Sequence, residues 1–339
     1  MAVTLRDVAA QVGVSPRTVS NVVNGFHHVS PAMRSRVQAA LDDLGYRPNL
    51  MARGLRQGRT GLIGFLVPEL SMAYFAELAH AVVEHAQLLD LTVLVDETKG
   101  QLAREVELLD LLARAGRVDG IVLSNLGLGG RTLTRLRPPL PVVLLGERTA
   151  GSALDDVGFD NHAASAALVA HLVEQGYRRI AVIAGARTAA FATSTLRLRG
   201  CRAALRSAGL PWLPELVVRT DHWGRAEGAA AMRTLLALPD PPDAVVAFND
   251  SLALGALRVL HEARVPVPAQ IGVVGFDDIE DGRYSVPTLT TIGPDKAEIA
   301  RRCLEVLTGR IAGSVEPPHA VHVPFCLHTR ESSHRLPGR

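Results

Sequence analysis

The chain has 339 residues, 47% of them hydrophobic and 21% charged, with a formal net charge of +2, a composition that fits two or three globular domains and excludes a disordered or fibrous chain. No stretch approaches the roughly 20 apolar residues of a membrane span, and Arg6, Asp7, Gln11 and Arg17 interrupt any secretory segment. Three widely spaced cysteines (Cys201, Cys303, Cys326) argue against a disulfide framework or a zinc site, so a reduced, cytoplasmic protein with no membrane contact is expected.

Residues 4 to 56 carry the densest local signals. Thr4 followed by Asp7 is a capping-box start with Asp in place of Glu. Leu5, Val8, Ala9 and Val12 then recur at helical spacing up to Gly13, a natural stop. Ser15-Pro16 opens a second helix, a capping hydroxyl before a proline at the first helical position. Val19, Val22 and Val23 form its apolar side, and Pro16, Arg17, Ser20, Asn21 and Asn24 point outward. Ser30-Pro31 repeats the signal, and Val37, Ala40, Leu41 and Leu44 make the stripe of a third helix closed by Gly45. Three short helices, the first two joined by a three- or four-residue turn, predict a small all-α helix-turn-helix head over residues 1–47.

The outward face of the second helix suits DNA. Arg17 can fork onto a guanine edge, Asn21 can bond an adenine, and Thr18, Ser20 and Asn24 suit phosphate oxygens. Residues 1–60 hold eight arginines, no lysine and three aspartates, a net of +5 that leaves −3 for the rest. A basic head on a mildly acidic body is the footprint of a nucleic-acid binder. A helical bundle with a solvated arginine face has the same helix pattern.

From residue 61 short apolar runs alternate with helical stretches. Strands are predicted at 62–67, 91–96, 120–124, 141–145, 156–159, 180–184, 216–219, 244–248, 272–276 and 289–292. Helices are predicted at 73–89, 102–115, 162–175, 196–208, 225–237, 252–263 and 296–311. Apolar runs without alternation, separated by helices, indicate parallel sheets covered on both faces. Ten strands fit two doubly wound α/β subdomains better than one sheet. Ligands of such sheets sit beyond the carboxyl ends of the strands. Carboxylates, a guanidinium, an amide and aromatic rings converge there, groups that take adjacent hydroxyls and cover the C–H face of a sugar.

The word order is more specific than these patterns. Leu5-Arg6-Asp7-Val8-Ala9, Val14-Ser15, Thr18-Val19-Ser20, Val23-Asn24-Gly25 and Gly45-Tyr46-Arg47-Pro48-Asn49 resemble the head of the lactose-repressor/galactose-repressor family of transcriptional regulators. Gly176-Tyr177-Arg178-Arg179-Ile180-Ala181, Phe248-Asn249-Asp250, Gly275-Phe276-Asp277-Asp278 and Pro287-Thr288-Leu289-Thr290-Thr291-Ile292 resemble its effector domain, whose fold is that of periplasmic sugar-binding proteins. The resemblance implies DNA contacts at Thr4, Ser15, Pro16, Arg17, Thr18, Ser20, Asn21 and Asn24. It also implies a hinge helix, within residues 48–60, that carries Asn49, Ala52, Arg53 and Leu55. About eight residues are too few for a stable isolated helix, and Gly54 weakens this one further. Such a hinge orders only when two copies pack over DNA, with each Leu55 wedged into the minor groove of a near-palindromic operator.

For the body, residues 61–339, the resemblance implies a homodimer and a small-molecule effector, expected to be sugar-like. Its two subdomains span about 61–160 plus 293–323 and 161–292 plus 324–332, with crossings near Asp160, Ile292 and Pro324. Effector contacts carry over to Arg197, Asn249 and Asp277, with Trp223 as a stacking platform, and to Phe75. Each has a plainer reading: a turn cap for Asp277, a surface ion pair for Arg197, a helix cap for Asn249, core packing for Trp223. Gly146 stands where some sugar-binding members carry aspartate, Gly293-Pro294 replaces a stretch that often has glutamine, and Pro16 occupies a recognition position usually polar or aromatic. A nucleobase or a partner protein in place of a sugar is the alternative. Residues 331–339 are too short and polar for a tetramerising helix, so a dimer is expected.

Enzyme and metal chemistry find no support. His80 and His85 lie about 140° apart on a helix and share no face. Gly127-Leu128-Gly129-Gly130 lacks the lysine of a phosphate loop, and no Gly-x-Ser-x-Gly elbow occurs. Neither catalysis nor a cofactor is expected.

Overall fold

The computed structural model describes residues 3–23, 26, 28–46, 59–114, 116–124, 138–146, 154–185 and 192–335. The chain divides into two compact units, Met1–Gly61 and Leu62–Arg339. No helix among the described residues is long and apolar enough to cross a membrane.

The first unit holds α1 (Leu5–Val12), α2 (Pro16–Val23) and α3 (Pro31–Asp43). Thr4 donates both its backbone N–H and its hydroxyl to Asp7 Oδ2, at 2.8 and 2.7 Å, which starts α1 and holds the Asp7 carboxyl below its usual range. Gly13, at φ 71°, ends it in the left-handed conformation that a Cβ disfavours. Ser15 Oγ accepts the Thr18 N–H at 3.1 Å, and Ser30 Oγ accepts that of Met33 at 3.3 Å, so both Ser-Pro starts form as expected. Val8, Val19 and Val37 are fully buried, one from each helix, at the centre of a small core.

The second unit contains two six-stranded sheets. Lobe one orders its strands β11-β5-β4-β3-β1-β2, all parallel. They are β1 (Leu62–Val67), β2 (Thr92–Glu97), β3 (Gly120–Leu123), β4 (Val142–Leu145), β5 (Asp155–Gly158) and β11 (Ala320–His322), with helices α4 (Ala73–Gln87) and α5 (Leu102–Arg114). Lobe two orders its strands β12-β10-β9-β8-β6-β7. They are β6 (Ile180–Ala184), β7 (Val217–Arg219), β8 (Ala244–Ala247), β9 (Gly272–Phe276), β10 (Thr290–Pro294) and β12 (Phe325–His328). Its helices are α6 (Asn161–Glu174), α7 (Ala192–Ser207), α8 (Arg225–Leu236), α9 (Asp250–Glu262) and the short α10 (Glu280–Arg283). α11 (Lys296–Ile311) follows β10 but packs on α4 and on β3, β4 and β5 of lobe one. The central strands β3, β4, β6, β8 and β9 are buried along their length, as strands covered by helices on both faces must be.

Two strands lie outside the ten that the sequence predicts, β11 and β12. Each is three or four residues on a sheet edge and ends in a histidine, so neither shows the unbroken hydrophobic signature of the central strands. β12 is also the one antiparallel pairing among the described strands. The chain thus passes between lobes after β5, after β10 and between β11 and β12.

One buried ion pair clamps lobe one. Asp155, 3% exposed, receives Arg310 Nε and Nη2 at 2.7 and 2.8 Å and the His319 N–H at 3.0 Å. Burial pushes its carboxyl up, but these donors and the arginine charge outweigh burial and leave its pKa below 3.8. An acid with a lowered native pKa stabilises the fold above its unfolded value and loses that contribution as pH falls through the native one. Asp155→Asn should therefore cost about 3 kcal/mol at pH 7. That cost should shrink as pH drops below 3.8, as measured by urea unfolding across the pH series.

Candidate functional site

In the head, α2 turns Val19 and Val22 into the core. Pro16 and Arg17 are exposed, and Thr18, Ser20 and Asn21 partly so. Ser15 and Thr18 hydroxyls lie 2.9 Å apart, so Ser15 serves the helix start as well as the outward face. Among the described head arginines, Arg36 and Arg34 have internal tasks: Arg36 Nη2 donates to Val12 O at 2.9 Å and Arg34 Nη2 to Phe26 O at 2.7 Å. Neither task shows along the chain, where both residues read only as charge. Asn24 and the hinge positions Asn49, Ala52, Arg53 and Leu55 lie outside the described residues.

In each lobe the strand order reverses beside the first strand, between β1 and β3 and between β6 and β8. Such switch points leave a crevice at the carboxyl ends of the strands. In lobe two Arg197 reaches it from α7. Gly200, one turn further on, lets α7 approach α6, since a Cβ there would lie 2.2 Å from His162 O. Arg197 is 4% exposed. Its Nε donates to Asn161 Oδ1 at 2.6 Å, its Nη1 to Phe248 O, and its Nη2 lies 3.9 Å from Asp277 Oδ1. The guanidinium carbon sits 3.8 Å from the centre of the Phe276 ring, a cation–π contact made under desolvation.

Asp277 follows β9 at φ 103°, and Asp278 at φ 46°. Two consecutive residues outside the usual backbone range turn the chain sharply after the strand, a strain tolerated where the surroundings over-determine it. Asp278 is held by Arg283 at 2.7 Å and Arg330 at 2.5 Å. Asp250 Oδ2 accepts the Ile279 N–H at 2.9 Å and its Oδ1 the Thr291 hydroxyl at 2.6 Å. Burial pushes the Asp277 carboxyl up, while Arg197 and Lys296 pull it back. Burial, and then Asp277, push that of Asp250 well above the usual range.

The remaining expected residues divide. Asn249 caps α9, accepting the Leu252 N–H at 2.8 Å, and its Nδ2 donates to Trp223 O at 2.9 Å. Its capping role is therefore real, and the amide also holds the Trp223 backbone in place. A side-chain amide retains a second N–H and a second lone pair. Trp223 is half-buried against Gly185, where a Cβ would fall 2.2 Å from the ring. Phe75 packs in the lobe-one core at 8% exposure, edge-on to Tyr74 at 5.1 Å. Tyr74 is the aromatic side chain whose phenol feels the other lobe: burial, then Asp277, push its pKa up, and Arg197 opposes them. Sequence reasoning missed Tyr74 and Asn161, although Asn161 stands directly after Asp160 at the carboxyl end of β5. Gly146, at φ 120°, occupies a backbone conformation that a Cβ disfavours. Glu147 lies outside the described residues.

His80 is exposed beside Glu84 at 3.5 Å, and His85 Nδ1 lies 2.9 Å from Ala81 O. Among the described residues no group of three His, Cys, Asp or Glu side chains is placed to hold a metal ion.

A helix-turn-helix unit followed by a body of two largely parallel sheets, each with a switch point, is the architecture of a DNA-binding regulator that carries an effector domain. Residues 4–49 match the model of bacterial regulatory proteins, lacI family, and residues 169–333 match that of the periplasmic binding protein-like domain. The ribose operon repressor of Escherichia coli (strain K12) is 33% identical over 310 residues, 91% of this chain and 93% of its own. The lac repressor dimer bound to operator and the anti-inducer ONPF superposes with a TM-score of 0.88 at 28% identity, covering 99% of this chain and 100% of that one. The complex of transcriptional regulator CelR with cellobiose gives 0.71 at 31% identity, covering 97% and 99%. The chain belongs to the lacI family of bacterial regulatory proteins.

Proposed function

We propose that this regulator is a homodimeric repressor whose affinity for a near-palindromic operator is set by a sugar-like effector bound between its lobes. Two heads reach the half-sites through Arg17 and Asn21 in the major groove, with Pro16 at a recognition position and Thr4, Ser15, Thr18, Ser20 and Asn24 on the phosphate backbone. Paired hinges, with Asn49, Ala52, Arg53 and the Leu55 wedge, complete the grip in the minor groove. The effector changes operator affinity only as far as it binds the two body conformations differently.

The observation that carries the effector reading is the buried Arg197–Asp277 pair beside Asn161, lying on the Phe276 ring and near Trp223. A planar donor and a carboxylate side by side suit adjacent hydroxyls, and the aromatic rings suit the apolar face of a pyranose or furanose. The cellobiose held by one relative supports this chemistry. Support for the dimer comes from β2, a sheet-edge strand that leaves Leu94 and Val95 40% and 36% exposed, with Leu88 nearby in sequence at 81%. An apolar edge of this kind is normally covered.

The test is a thermal-shift screen of the full chain against sugars and nucleosides. A ligand at a hundred times its Kd adds about 2.7 kcal/mol, roughly 5–10 °C for a body of this size. A sugar or sugar derivative is expected to give that shift. A shift from nucleosides alone, or from nothing in the sugar panel, removes the sugar reading.

A further inference from the structure

Two charged side chains outside the effector constellation tie lobe one to the loop that carries Asp277. Glu77 lies on α4, and Lys296 opens α11, the helix that packs on lobe one. Lys296 Nζ lies 3.1 Å from Glu77 Oε2, donates to Asp278 O at 2.9 Å and stands 6.0 Å from the centre of the Tyr74 ring. Glu77 Oε1 accepts the Glu280 N–H at 2.9 Å. Lobe one therefore grips the turn after β9 at two backbone points, Asp278 O and Glu280 N, on either side of Ile279. Lobe two holds the same turn from its other side, through Asp250 on the Ile279 N–H and through Arg330 on the Asp278 carboxylate.

The chemistry is specific to these side chains. Lys296 is one of two lysines in a chain of 34 arginines. A compact ammonium with three rotatable donors serves a carboxylate and a carbonyl at once beside a ring. The Lys296 side chain is 13% exposed and that of Glu77 32%, so their attraction is only partly screened by solvent.

We propose that Glu77 and Lys296 are positioning residues of the effector site, a latch that closes lobe one onto lobe two and sets the Asp277 loop in its effector-ready geometry. The latch rests on the cleft being the effector site, yet it acts without effector, so its failure is read separately from that of the sugar proposal. When the latch opens, the turn after β9 loses both lobe-one partners and the two cleft walls separate together.

Hydrogen–deuterium exchange of the full-length chain, with no effector added, tests this on three segments: 276–285 in the latch loop, 68–76 on the opposite wall, and 102–114 as a control. Lys296→Met and Glu77→Leu are expected to speed exchange of both wall segments by about tenfold or more, the scale of a lost charge-assisted hydrogen bond. The control segment should stay unchanged. Glu77→Gln keeps an acceptor for Glu280 N–H and loses the charge, so it should fall between wild type and Glu77→Leu. About 1 M salt should move wild type toward Lys296→Met and leave that variant where it is. The proposal is overturned if Lys296→Met and Glu77→Gln exchange like wild type, or if only 276–285 speeds up, since a contact that frays by itself does not close a cleft.

Discussion

Removing residues 1–60 is expected to abolish sequence-specific DNA binding while leaving a folded, dimeric, ligand-responsive body. The head has its own buried core of three helices and carries a net +5, whereas the remainder carries −3. A net-negative body keeps no electrostatic grip on phosphate. The loss should span the whole gap between specific and non-specific binding, about 10³-fold or more. Fluorescence anisotropy on operator duplex at fixed salt measures the loss. Sedimentation and the thermal shift measure what the body retains. A truncated body that still discriminated operator from random duplex would refute the division of labour. In the full-length chain, Leu55→Ser should weaken operator binding without altering the fold, because a small polar side chain cannot hold a base step apart.

Replacing Arg197 by alanine should cost both stability and effector response. The guanidinium is nearly buried and satisfies Asn161 and the Phe248 carbonyl beside the Asp277 carboxyl. Its removal strands buried acceptors, a loss of about 3–5 kcal/mol or roughly 10 °C in Tm.

Asp277→Asn separates binding from folding. Burial raises the native pKa of Asp277 above 3.8. As pH climbs past 3.8 the unfolded chain ionises first, so the native state loses stability until the native pKa is reached and then levels off. The asparagine variant has no such decline, so it should be as stable as wild type near neutral pH or more so, while its response to effector disappears. An Asp277→Asn protein with an undiminished effector shift would remove Asp277 from the site. Because Arg197 and Asp277 are neighbours, the double alanine variant should lose less stability than the two single losses added together.

The head was legible because its signals are local. Thr4 with Asp7, Ser15-Pro16 and Ser30-Pro31 each act within four residues, and the structure forms every one of these starts. Strands β1, β3, β4, β6, β8 and β9 were legible for a similar reason: a short, nearly unbroken hydrophobic run is what a strand covered on both faces requires. The short edge strands β11 and β12 were not, because three or four partly exposed residues pair only when a finished sheet is already present.

The candidate effector constellation was legible only in part along the chain. Arg197, Asn249 and Asp277 came from motifs, but the company they keep did not. Asn161 meets Arg197 across 36 positions, Phe248 O across 51, and Glu280 N–H meets Glu77 across 203. Phe75 and Tyr74 are adjacent in the chain, and only packing sent the first into the lobe-one core and set the second within reach of Asp277.

By itself the amino-acid order determined a basic helix-turn-helix head, a two-sheet α/β body and the family, since periodicity, caps and ordered motifs are written along the chain. Tertiary structure alone decided which charges share a burial site and which groups bridge the lobes. Desolvation and ion pairing depend on distance in space, and residues hundreds of positions apart acquire one only when the chain has folded.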